Sequence, residues 1–347
     1  MPAPTSAAPV TPATPAAPVA QVTPATPVVP TPSPAPTAPA ASATPPSSSK
    51  RIRKAIITDA GFASRYLPIT KTIPKAMLPL GNRPIMQFMV EECVQAGIEE
   101  IVLVSTPEGK PIYEDYFNNN VNHIRKQLVA QGKGDRYELV QHVLNYPKII
   151  VIVQDPSLPY GNGSPVVSAQ KFVETEEAFL VMYSDDVVFG EMGDAKVMVD
   201  LYAQHPDVEG IIMAQEVSPD VVDKYGIIVP KQGGQQGTTT VLDNIIEKPE
   251  KGKEPSRLAS YGRYLLKPSI FQYLNAQSVG KDGELWTVDA ITKIAKGKTV
   301  LVEHTKGEWV TTGDPENYFI AHLKYVMANE KYGKKIPEWV RILEKTA

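Results

Sequence analysis

The chain has 347 residues, of which 42% are hydrophobic, and its 38 acidic and 35 basic side chains give a net charge of −3. Because this near balance provides no field that attracts a polyanion, binding to nucleic acid or to an anionic membrane surface is not predicted as a main activity. A single cysteine, Cys93, excludes an internal disulfide, and no apolar run of about 18 residues predicts a membrane span.

The first fifty residues differ in composition from the rest of the chain. No charged side chain occurs from residue 1 to residue 49, and the hexapeptide VTPATP starts at Val10 and again at Val22. A stretch this rich in Pro, Ala and Thr cannot bury a core, so residues 1–50 are predicted to form a disordered, partly polyproline II spacer. The stretch also lacks the basic start and apolar block of a secretory signal, so a cytoplasmic location is expected.

Residues 51–347 are predicted to form one α/β domain, since this length is sufficient for a large core. The run KAIIT (54–58) predicts a strand, and EIVLVS (100–105) predicts another. Between them, a predicted helix begins at Pro84 and ends before Gly97. Its apolar residues at helical spacing are Ile85, Phe88, Met89 and Cys93. The order strand, helix, strand predicts a βαβ unit.

Further apolar runs extend this pattern. KIIVIV (148–153) and AFLVMYS (178–184) are typical of strands buried on both faces, and VVSAQKFVE (166–174) between them predicts a helix. GIIMAQEV (210–217) predicts one more strand. Together the runs predict a mostly parallel sheet, in which ligands bind at the carboxyl ends of the strands.

The loop after the first predicted strand, TDAGFASRYLPITKTIPKAMLPLGNRP (58–84), has the composition of a phosphate-binding loop. Small residues let backbone N–H groups approach an anion, and basic residues contact or neutralise phosphate oxygens. The small residues are Gly61, Ala63 and Ser64, and the basic residues are Arg65, Lys71 and Lys75. Four prolines stiffen the loop, which reduces the entropy lost on closing around a ligand. Because no P-loop or G-x-G-x-x-G motif is present, a solvated surface loop is the alternative on this stretch alone.

The segment AGFASRYLPITKTIPKAMLPLGNRPIMQFMVEECVQAGIEEIVLV resembles the opening of the sugar nucleotidyltransferases, most closely the bacterial UTP-glucose-1-phosphate uridylyltransferases. The signature of that family is G-x-G-T-R-x-L-P-x-T-K-x-x-P-K-E-M-L-P. Other matching segments follow in the family's order over nearly all of residues 51–330, namely SDD (184–186), YGII (225–228), IEKPEKG (246–252), LASYGRYLL (258–266) and DGELWTVDAI (282–291). The resemblance implies an α/β, Rossmann-like fold with a mostly parallel mixed sheet and flanking helices.

The implied activity joins a nucleoside triphosphate, UTP by the closest resemblance, to a sugar 1-phosphate such as glucose 1-phosphate, with release of pyrophosphate. Carried over by position, Arg65 would hold the triphosphate, and Lys75 would bridge its α-phosphate and the incoming sugar phosphate. Asp185 matches the family's magnesium-binding aspartate, and a carboxylate at a strand end suits the hard Mg²⁺ ion. Without the resemblance, a helix or turn cap is the alternative role for Asp185.

The resemblance also implies residues that bind the rest of each substrate. The nucleotide would contact the loop at Ala60, Gly61 and Ser64. The base would be read by the segment VQDPSLPYGNGSPVV, where a glutamine amide or a backbone exposed by glycine can pair with a uracil edge. The candidates there are Gln154 and Gly161.

On the sugar side, the resemblance implies four residues. Glu247 would bind sugar hydroxyls, Lys248 would bind the sugar phosphate, and Gly226 would leave room for the ring. Glu284 lies in the match to another part of the sugar-side wall. Without the family context, the tripeptide Glu-Lys-Pro at Glu247 is a common surface sequence and carries little weight.

Three positions in the loop depart from the family pattern. Ala63 and Ser64 replace a glycine and a threonine, which are mild changes. Ala76 replaces a glutamate and so removes a charge.

Larger departures occur on the base and metal sides. In GNGSPVV (161–167) the family has Gly-Leu-Gly-His-Ala-Val, and Pro165 stiffens this loop. Thr311 stands where related enzymes have an aspartate, so it cannot supply a full negative charge to a metal, and Asp314 is the alternative source of that charge. Trp286 replaces a glutamine and would reshape a wall of the sugar pocket.

Two functions therefore stay open. The first is an active, magnesium-dependent nucleotidyltransferase that makes UDP-glucose or a related sugar nucleotide, and the charged residues for both substrates favour it. The second is a catalytically weak or silent homologue that binds nucleotide or sugar nucleotide as a regulatory or assembly component, which Thr311 and Pro165 favour. The expected partners are the two small substrates, without nucleic acid, and the sequence is compatible with a homo-oligomer.

Overall fold

A computed structural model of the chain describes residues 51–234, 237–280 and 283–345. The predicted tail, residues 1–50, lies outside the described residues, as does Asp282 at the start of the DGELWTVDAI segment. All of these described residues belong to one compact unit. The boundary proposed between residues 50 and 51 stays a prediction.

The strands of the described residues form one large sheet and two small ones. In chain order they are β1 (Lys54–Asp59), β2 (Pro79–Leu80), β3 (Arg83–Pro84), β4 (Glu100–Ser105), β5 (Lys148–Val153), β6 (Phe179–Tyr183), β7 (Asp186–Phe189), β8 (Gly210–Glu216), β9 (Gly226–Pro230), β10 (Thr239–Glu247), β11 (Leu258–Leu266), β12 (Val300–His304) and β13 (Glu308–Thr311). The large sheet has nine strands in the order β5-β4-β1-β6-β11-β8-β12-β10-β9, and β2 with β3 and β7 with β13 form the two-stranded sheets.

The helices flank the large sheet and follow it at the carboxyl end of the chain. They are α1 (Ile85–Gln95), α2 (Gly109–Asn118), α3 (Asn122–Ala130), α4 (Glu138–Leu144), α5 (Ser164–Ser168), α6 (Gln170–Val173), α7 (Asp194–Gln204), α8 (Thr287–Ala295), α9 (Pro315–Ala328), α10 (Glu330–Gly333) and α11 (Ile336–Glu344). None of the helices described here has both the length and the apolar character needed to cross a membrane.

The predicted βαβ unit is confirmed. β1 and β4 pair in parallel, and α1 between them begins after Pro84, which is its N-cap residue. Gly97, just past the end of α1, has a φ of +79°, a left-handed conformation that glycine adopts at low cost. The strands predicted at 148–153, 178–184 and 210–217 correspond to β5, β6 and β8, and the helix predicted at 166–174 is present as the two short helices α5 and α6.

The sheet is mixed, as the fold class predicted, but parallel pairing dominates only in its first half. β5, β4, β1 and β6 are mutually parallel neighbours. β11 then enters antiparallel to both β6 and β8, and β10 is antiparallel to β12 and β9. The predicted α/β fold with a mixed sheet is therefore confirmed, and the antiparallel pairs are concentrated in the second half, where β8 and β12 are nevertheless parallel. A continuous apolar run indicates that a strand is buried on both faces. Because the antiparallel β11 is buried in the same way as its parallel neighbours, such a run does not reveal the direction of the strand.

The core lies on both faces of the sheet. Successive residues of β1 alternate between two apolar clusters, with Ala55 and Ile57 on one face and Ile56 on the other. Helices α1 and α7 cover the first face, and α5 and α8 cover the second. Burial on both faces explains why β1 appears in the sequence as a continuous apolar run rather than as an alternating one.

The carboxyl ends of β1, β4, β5 and β6 meet at one edge of the sheet. Thr58 is in register with Tyr183, so Asp59 and the residues after β6 lie side by side. Gln154, just after β5, donates its backbone N–H to Ser105 O at the end of β4 (3.0 Å). The loops that carry most of the predicted site residues therefore leave the sheet at the same edge.

Candidate functional site

Two adjoining cavities lie at this edge of the sheet. The first, about 710 Å³ in volume, lies among the ends of β1, β4 and β5 and the loops that follow them. The second, about 670 Å³, lies among β9, β10, β11 and β13. Both are lined by Asn162, Tyr183, Asp185 and Trp286, which therefore mark the junction between the cavities.

The cavities collect all but one of the predicted site residues. Those that line the first cavity are Ala60, Gly61, Lys75, Gln154, Gly161, Asp185 and Glu284. Those that line the second cavity are Arg65, Asp185, Gly226, Glu247 and Lys248. Ser64 is exposed and lines neither cavity. Two placements differ from the expected grouping, since Glu284 lies with the nucleotide candidates and Arg65 lies with the sugar-side candidates.

The phosphate-loop candidate folds as three short 3₁₀ helices, Ser64–Tyr66, Ile69–Lys71 and Lys75–Met77. The hydroxyl of Tyr66 lies 2.7 Å from the carbonyl oxygens of both Thr312 and Asp314, which fixes the loop against the segment after β13. Ala63 has a φ of +46°, a left-handed conformation that is less favourable for alanine than for glycine. This conformation gives a physical reason for the glycine that the family pattern has at this position.

An ion pair stands at the junction. Lys75 Nζ donates to Asp185 Oδ2 at 2.6 Å, and 13% of the lysine side chain and 31% of the aspartate side chain are exposed. Burial would raise the pKa of Asp185, but the ammonium of Lys75 more than offsets this, and the pKa is below its usual value. Burial would lower the pKa of Lys75, but Asp185 and then Asp59 raise it. Both groups are therefore charged at neutral pH.

Gly313 keeps the junction open on the side of Arg65. A Cβ atom on Gly313 would lie 3.3 Å from Asp185 Oδ2 and 4.0 Å from Arg65 Nη1. Arg65 also donates from Nη1 to Gly313 O at 3.3 Å. The guanidinium of Arg65 and the carboxylate of Asp185 thus face the same small space. The three residues that surround it, Arg65, Asp185 and Gly313, are far apart in the sequence.

Asp59 belongs to the site but was not predicted from the sequence. It is the last residue of β1, and its carboxylate accepts hydrogen bonds from the hydroxyls of Tyr113 and Ser184, the latter at 2.7 Å. Burial raises its pKa, and Lys75 partly opposes that rise. An acidic residue at the end of an apolar run was the available signal, as it was for Asp185.

Asp186 is the second unpredicted carboxylate, and it plays a different part from its neighbour Asp185. Trp309 Nε1 donates to Oδ1 at 2.6 Å, and the backbone N–H of Gly262 donates to Oδ2 at 3.0 Å. Burial, followed by the negative charge of Asp185, raises the pKa of Asp186 to about 6. Because both oxygens of Asp186 are hydrogen-bonded to the scaffold, Asp185 is the member of the pair that is available to a ligand.

The sugar-side candidates are held together by the pairing of β9 and β10. Gly226 is in register with Glu247, and a Cβ atom on Gly226 would lie 3.0 Å from Glu247 Oε2. The glycine therefore leaves room for this carboxylate. Burial raises the pKa of Glu247, an effect that Lys248 partly opposes.

Trp286 holds the side chain of Lys248 at the second cavity. Lys248 has a φ of +46°, and its Nζ lies 3.6 Å from Glu247 Oε1 and 4.6 Å from the centre of the Trp286 ring. A cation over an indole ring is attracted by the ring's negative face. The residue that departs from the family's glutamine therefore contacts a predicted phosphate-binding lysine directly.

The predicted base-reading loop is bound to the segment before α8. Leu285 N donates to Tyr160 O at 2.7 Å, and Gly163 N donates to Leu285 O at 2.8 Å. Gly161 has a φ of +135°, and a Cβ atom there would lie 2.3 Å from Leu285 O, so this close approach requires glycine. Pro165 is buried in the first turn of α5, where proline is compatible with a helix.

Thr311 and Asp314 show how the departure on the metal side is accommodated. Thr311 ends β13, and its hydroxyl accepts a hydrogen bond from Gly313 N at 3.1 Å. Asp314 is the N-cap of α9, and its two oxygens accept from Asn317 N (3.0 Å) and Asn317 Nδ2 (2.6 Å). The capping role occupies the Asp314 carboxylate, so it is a poor substitute for an aspartate at position 311.

Comparisons with known proteins show the family of the chain. The family model for nucleotidyl transferases matches residues 54–327. The UTP–glucose-1-phosphate uridylyltransferase of Bacillus subtilis is 36% identical over 282 residues, which cover 81% of this chain and 94% of that protein. The corresponding protein of Staphylococcus haemolyticus is 33% identical over 294 residues, covering 85% of this chain and 99% of its own length.

Solved structures are also similar over most of the chain. UTP-bound UGPase from Acinetobacter baumannii has a TM-score of 0.73 and 30% identity, and the match covers 83% of this chain and 98% of that one. A UDP-glucose pyrophosphorylase complexed with UDP-glucose has a TM-score of 0.69 and 29% identity, with coverage of 80% and 100%.

Proposed function

This chain belongs to the nucleotidyl transferase family, and from that premise we propose that it joins UTP to glucose 1-phosphate, forming UDP-glucose and pyrophosphate. The observation that carries the proposal is the ion pair of Lys75 and Asp185, which lies at the junction of two adjoining cavities. We assign one substrate to each cavity. The names of the relatives and the presence of two adjoining cavities support this choice of substrates.

The reaction requires two polyanions to be held together. An oxygen of the sugar phosphate forms a bond to the α-phosphorus of the triphosphate, and the bond from that phosphorus to pyrophosphate breaks. The protein therefore works mainly by positioning and by neutralising charge. We assign the nucleotide to the first cavity, with Gln154 and the backbone at Gly161 on the base side, and the sugar phosphate to the second cavity.

The basic residues are distributed in a way that supports this assignment. Lys75 lines the first cavity beside the junction, whereas Arg65 and Lys248 line the second. Arg65 faces the junction across Gly313, so it can bind phosphate oxygens of either substrate. Glu247 lies next to Lys248, where a carboxylate can accept hydrogen bonds from sugar hydroxyls.

Mg²⁺ is the metal that we propose, and the described residues fit it. No group of three or more His, Cys, Asp or Glu side chains within the described ranges could hold a metal ion by itself. Mg²⁺ commonly binds through one or two carboxylates together with substrate phosphates and waters. The ionised carboxylate of Asp185, about a third of it exposed at the junction, would provide the protein ligand. When bound, the ion would neutralise phosphate charge.

A direct assay tests the proposal. The purified full-length chain is incubated with each of UTP, dTTP, CTP, GTP and ATP, together with glucose 1-phosphate and Mg²⁺, and pyrophosphate release is followed. We expect UTP to give the fastest release and a chelator of divalent cations to stop it. If no triphosphate gives release while calorimetry shows that UDP-glucose binds, the chain is instead a silent homologue that acts as a regulatory or assembly component.

Trp286 provides a test of the sugar side. We expect Trp286→Gln to raise the KM for glucose 1-phosphate about fivefold, since a partly exposed cation–π contact contributes roughly 1 kcal/mol and holds Lys248 in place. The KM for UTP should change less, and both values are measured by varying one substrate at a saturating level of the other. Trp339→Gln, on α11, is the matched control. An unchanged KM for glucose 1-phosphate would show that Lys248 does not depend on the indole.

A further inference from the structure

A buried ion pair lies directly behind the Lys75–Asp185 pair. Arg263 on β11 is among the largest fully buried side chains of the described chain, and its guanidinium is paired with Glu92 on α1. Arg263 Nε lies 3.1 Å from Glu92 Oε1, and Nη2 lies 2.9 Å from Oε2. The proposed reaction, as described above, assigns no role to Arg263 or Glu92.

The guanidinium holds the backbone on both sides of Asp185. Arg263 Nη1 donates to Tyr183 O at 3.3 Å and to Gly262 O at 2.9 Å, and Nη2 donates to Asp186 O. The carbonyls of Tyr183 and Asp186 bracket the two-residue turn between β6 and β7. A planar group with five donors can bridge two such carbonyls while also pairing with a carboxylate, which a lysine ammonium cannot do with the same geometry.

Glu92 fixes the guanidinium from the opposite side. Besides pairing with Arg263, Glu92 Oε1 accepts the backbone N–H of Ala195 at 2.9 Å, in the first turn of α7. The pair thereby ties α1 and α7 to the turn that carries Asp185. A buried ion pair is weak evidence for a stabilising role, because the cost of removing two charges from water often cancels their attraction. The contacts of this ion pair with the turn are therefore better evidence for its role than the fact that it is buried.

Other contacts hold the rest of this turn but leave the Asp185 carboxylate exposed to the junction. The Asp185 carbonyl accepts from Thr312 N (2.5 Å) and from the Thr312 hydroxyl (3.1 Å). The Asp186 carboxylate is held by Gly262 and Trp309, as described above. These contacts hold the backbone of the turn, whereas the carboxylate of Asp185 has Lys75 as its side-chain partner among the described hydrogen bonds and salt bridges.

We propose that Arg263 and Glu92 are positioning residues, which hold the Ser184–Asp185 turn so that the Asp185 carboxylate meets the metal and phosphates at the junction of the cavities. This inference rests on the proposed function, because it assigns these residues to the same site. Neither residue touches substrate, so both act through the backbone of the turn.

The test separates positioning from stability. Glu92→Met/Arg263→Met replaces the ion pair by apolar side chains, a change that buried pairs often tolerate without loss of folding. Arg263→Lys keeps the charge but cannot bridge the two carbonyls. Met198→Ala, a buried core position on α7, is the control for general destabilisation. For each protein, Mn²⁺ binding in the presence of UTP is measured by electron paramagnetic resonance of the free ion, alongside kcat and both KM values.

We expect the double variant and Arg263→Lys to weaken Mn²⁺ binding about tenfold and to lower kcat about a hundredfold, with KM for glucose 1-phosphate changed less than threefold. Met198→Ala should bind Mn²⁺ as the wild type does. Wild-type Mn²⁺ affinity in Arg263→Lys, or an equal loss in Met198→Ala, would overturn the positioning role. If the wild type binds Mn²⁺ but turns over no substrate pair, the proposed function fails, and the Mn²⁺ comparison still decides this inference.

Discussion

Replacing Asp185 by asparagine is expected to lower kcat about a thousandfold, the largest loss from any single acidic residue of the site. Asp185 is the only acidic residue of the described ranges that lines both cavities. Asparagine keeps the shape of the side chain but removes the negative charge that would bind a divalent cation. The remaining carboxylates cannot replace it, because Asp186 is bonded to the scaffold and Asp314 caps α9.

The melting temperature of this variant should change by only a few degrees. The backbone contacts of Asp185 run through its carbonyl, which asparagine retains. Activity is measured as pyrophosphate release at saturating substrates, and unfolding is followed by circular dichroism. Asp200→Asn, which removes an aspartate paired with Lys196 on the surface of α7, is the matched control and should keep full activity. A loss of less than tenfold in Asp185→Asn would remove Asp185 from the proposed metal site.

The part of the fold that the sequence predicted best is the part with local signals. β1 and β4 are continuous apolar runs because they are buried on both faces, and α1 between them has a proline at its start and a glycine past its end. These features depend on neighbours within a few residues, so a single sequence is enough to recognise them. The βαβ unit and the position of the loop at the carboxyl edge of the sheet follow from them. The edge strand β5 differs from the two-face burial expected for its sequence, since only its alternate residues Ile149 and Val151 are buried.

The direction of β11 could not be predicted in this way. This strand is antiparallel to β6, and that choice depends on partners more than seventy positions earlier in the chain. Its buried Arg263 looks like a surface residue in the sequence, because an arginine is rarely buried unless a distant carboxylate pairs with it. Glu92, the partner, lies on α1, and nothing in the sequence near β11 reveals it.

The sequence predicted which residues belong to the candidate site better than it predicted how they are arranged. The resemblance named the residues, but it did not show that Glu284 lies on the side of the nucleotide candidates or that Asp314 is committed to capping a helix. It also left out Asp59 and Asp186, whose roles depend on contacts with Tyr113, Ser184 and Trp309. The hydrogen-bond partners of these side chains are set by tertiary packing, and the spacing of residues along the chain carries no information about them.

Replacing Lys75 by alanine is expected to lower kcat by two to three orders of magnitude, because the substitution removes the ammonium that we propose to lie beside the reacting phosphorus. It also leaves Asp59 and Asp185 without the cation that interacts with both of them, so the anionic substrates would meet uncompensated negative charge. Both effects act on the reaction more than on the fold, since Lys75 is a side chain at the junction and its 3₁₀ helix is held mainly by backbone contacts.

Lys71→Ala provides the comparison within the same loop. Lys71 is exposed and has no ion pair among the described salt bridges, so its loss should raise the KM for UTP only a few-fold and leave kcat within about threefold of the wild type. Small primary amines such as ethylamine should restore part of the activity of Lys75→Ala by placing an ammonium in the space that the side chain vacates, and they should not affect Lys71→Ala. Equal losses in the two variants would mean that the loop contributes only diffuse positive charge, and the special position of Lys75 between two carboxylates would then have no catalytic consequence.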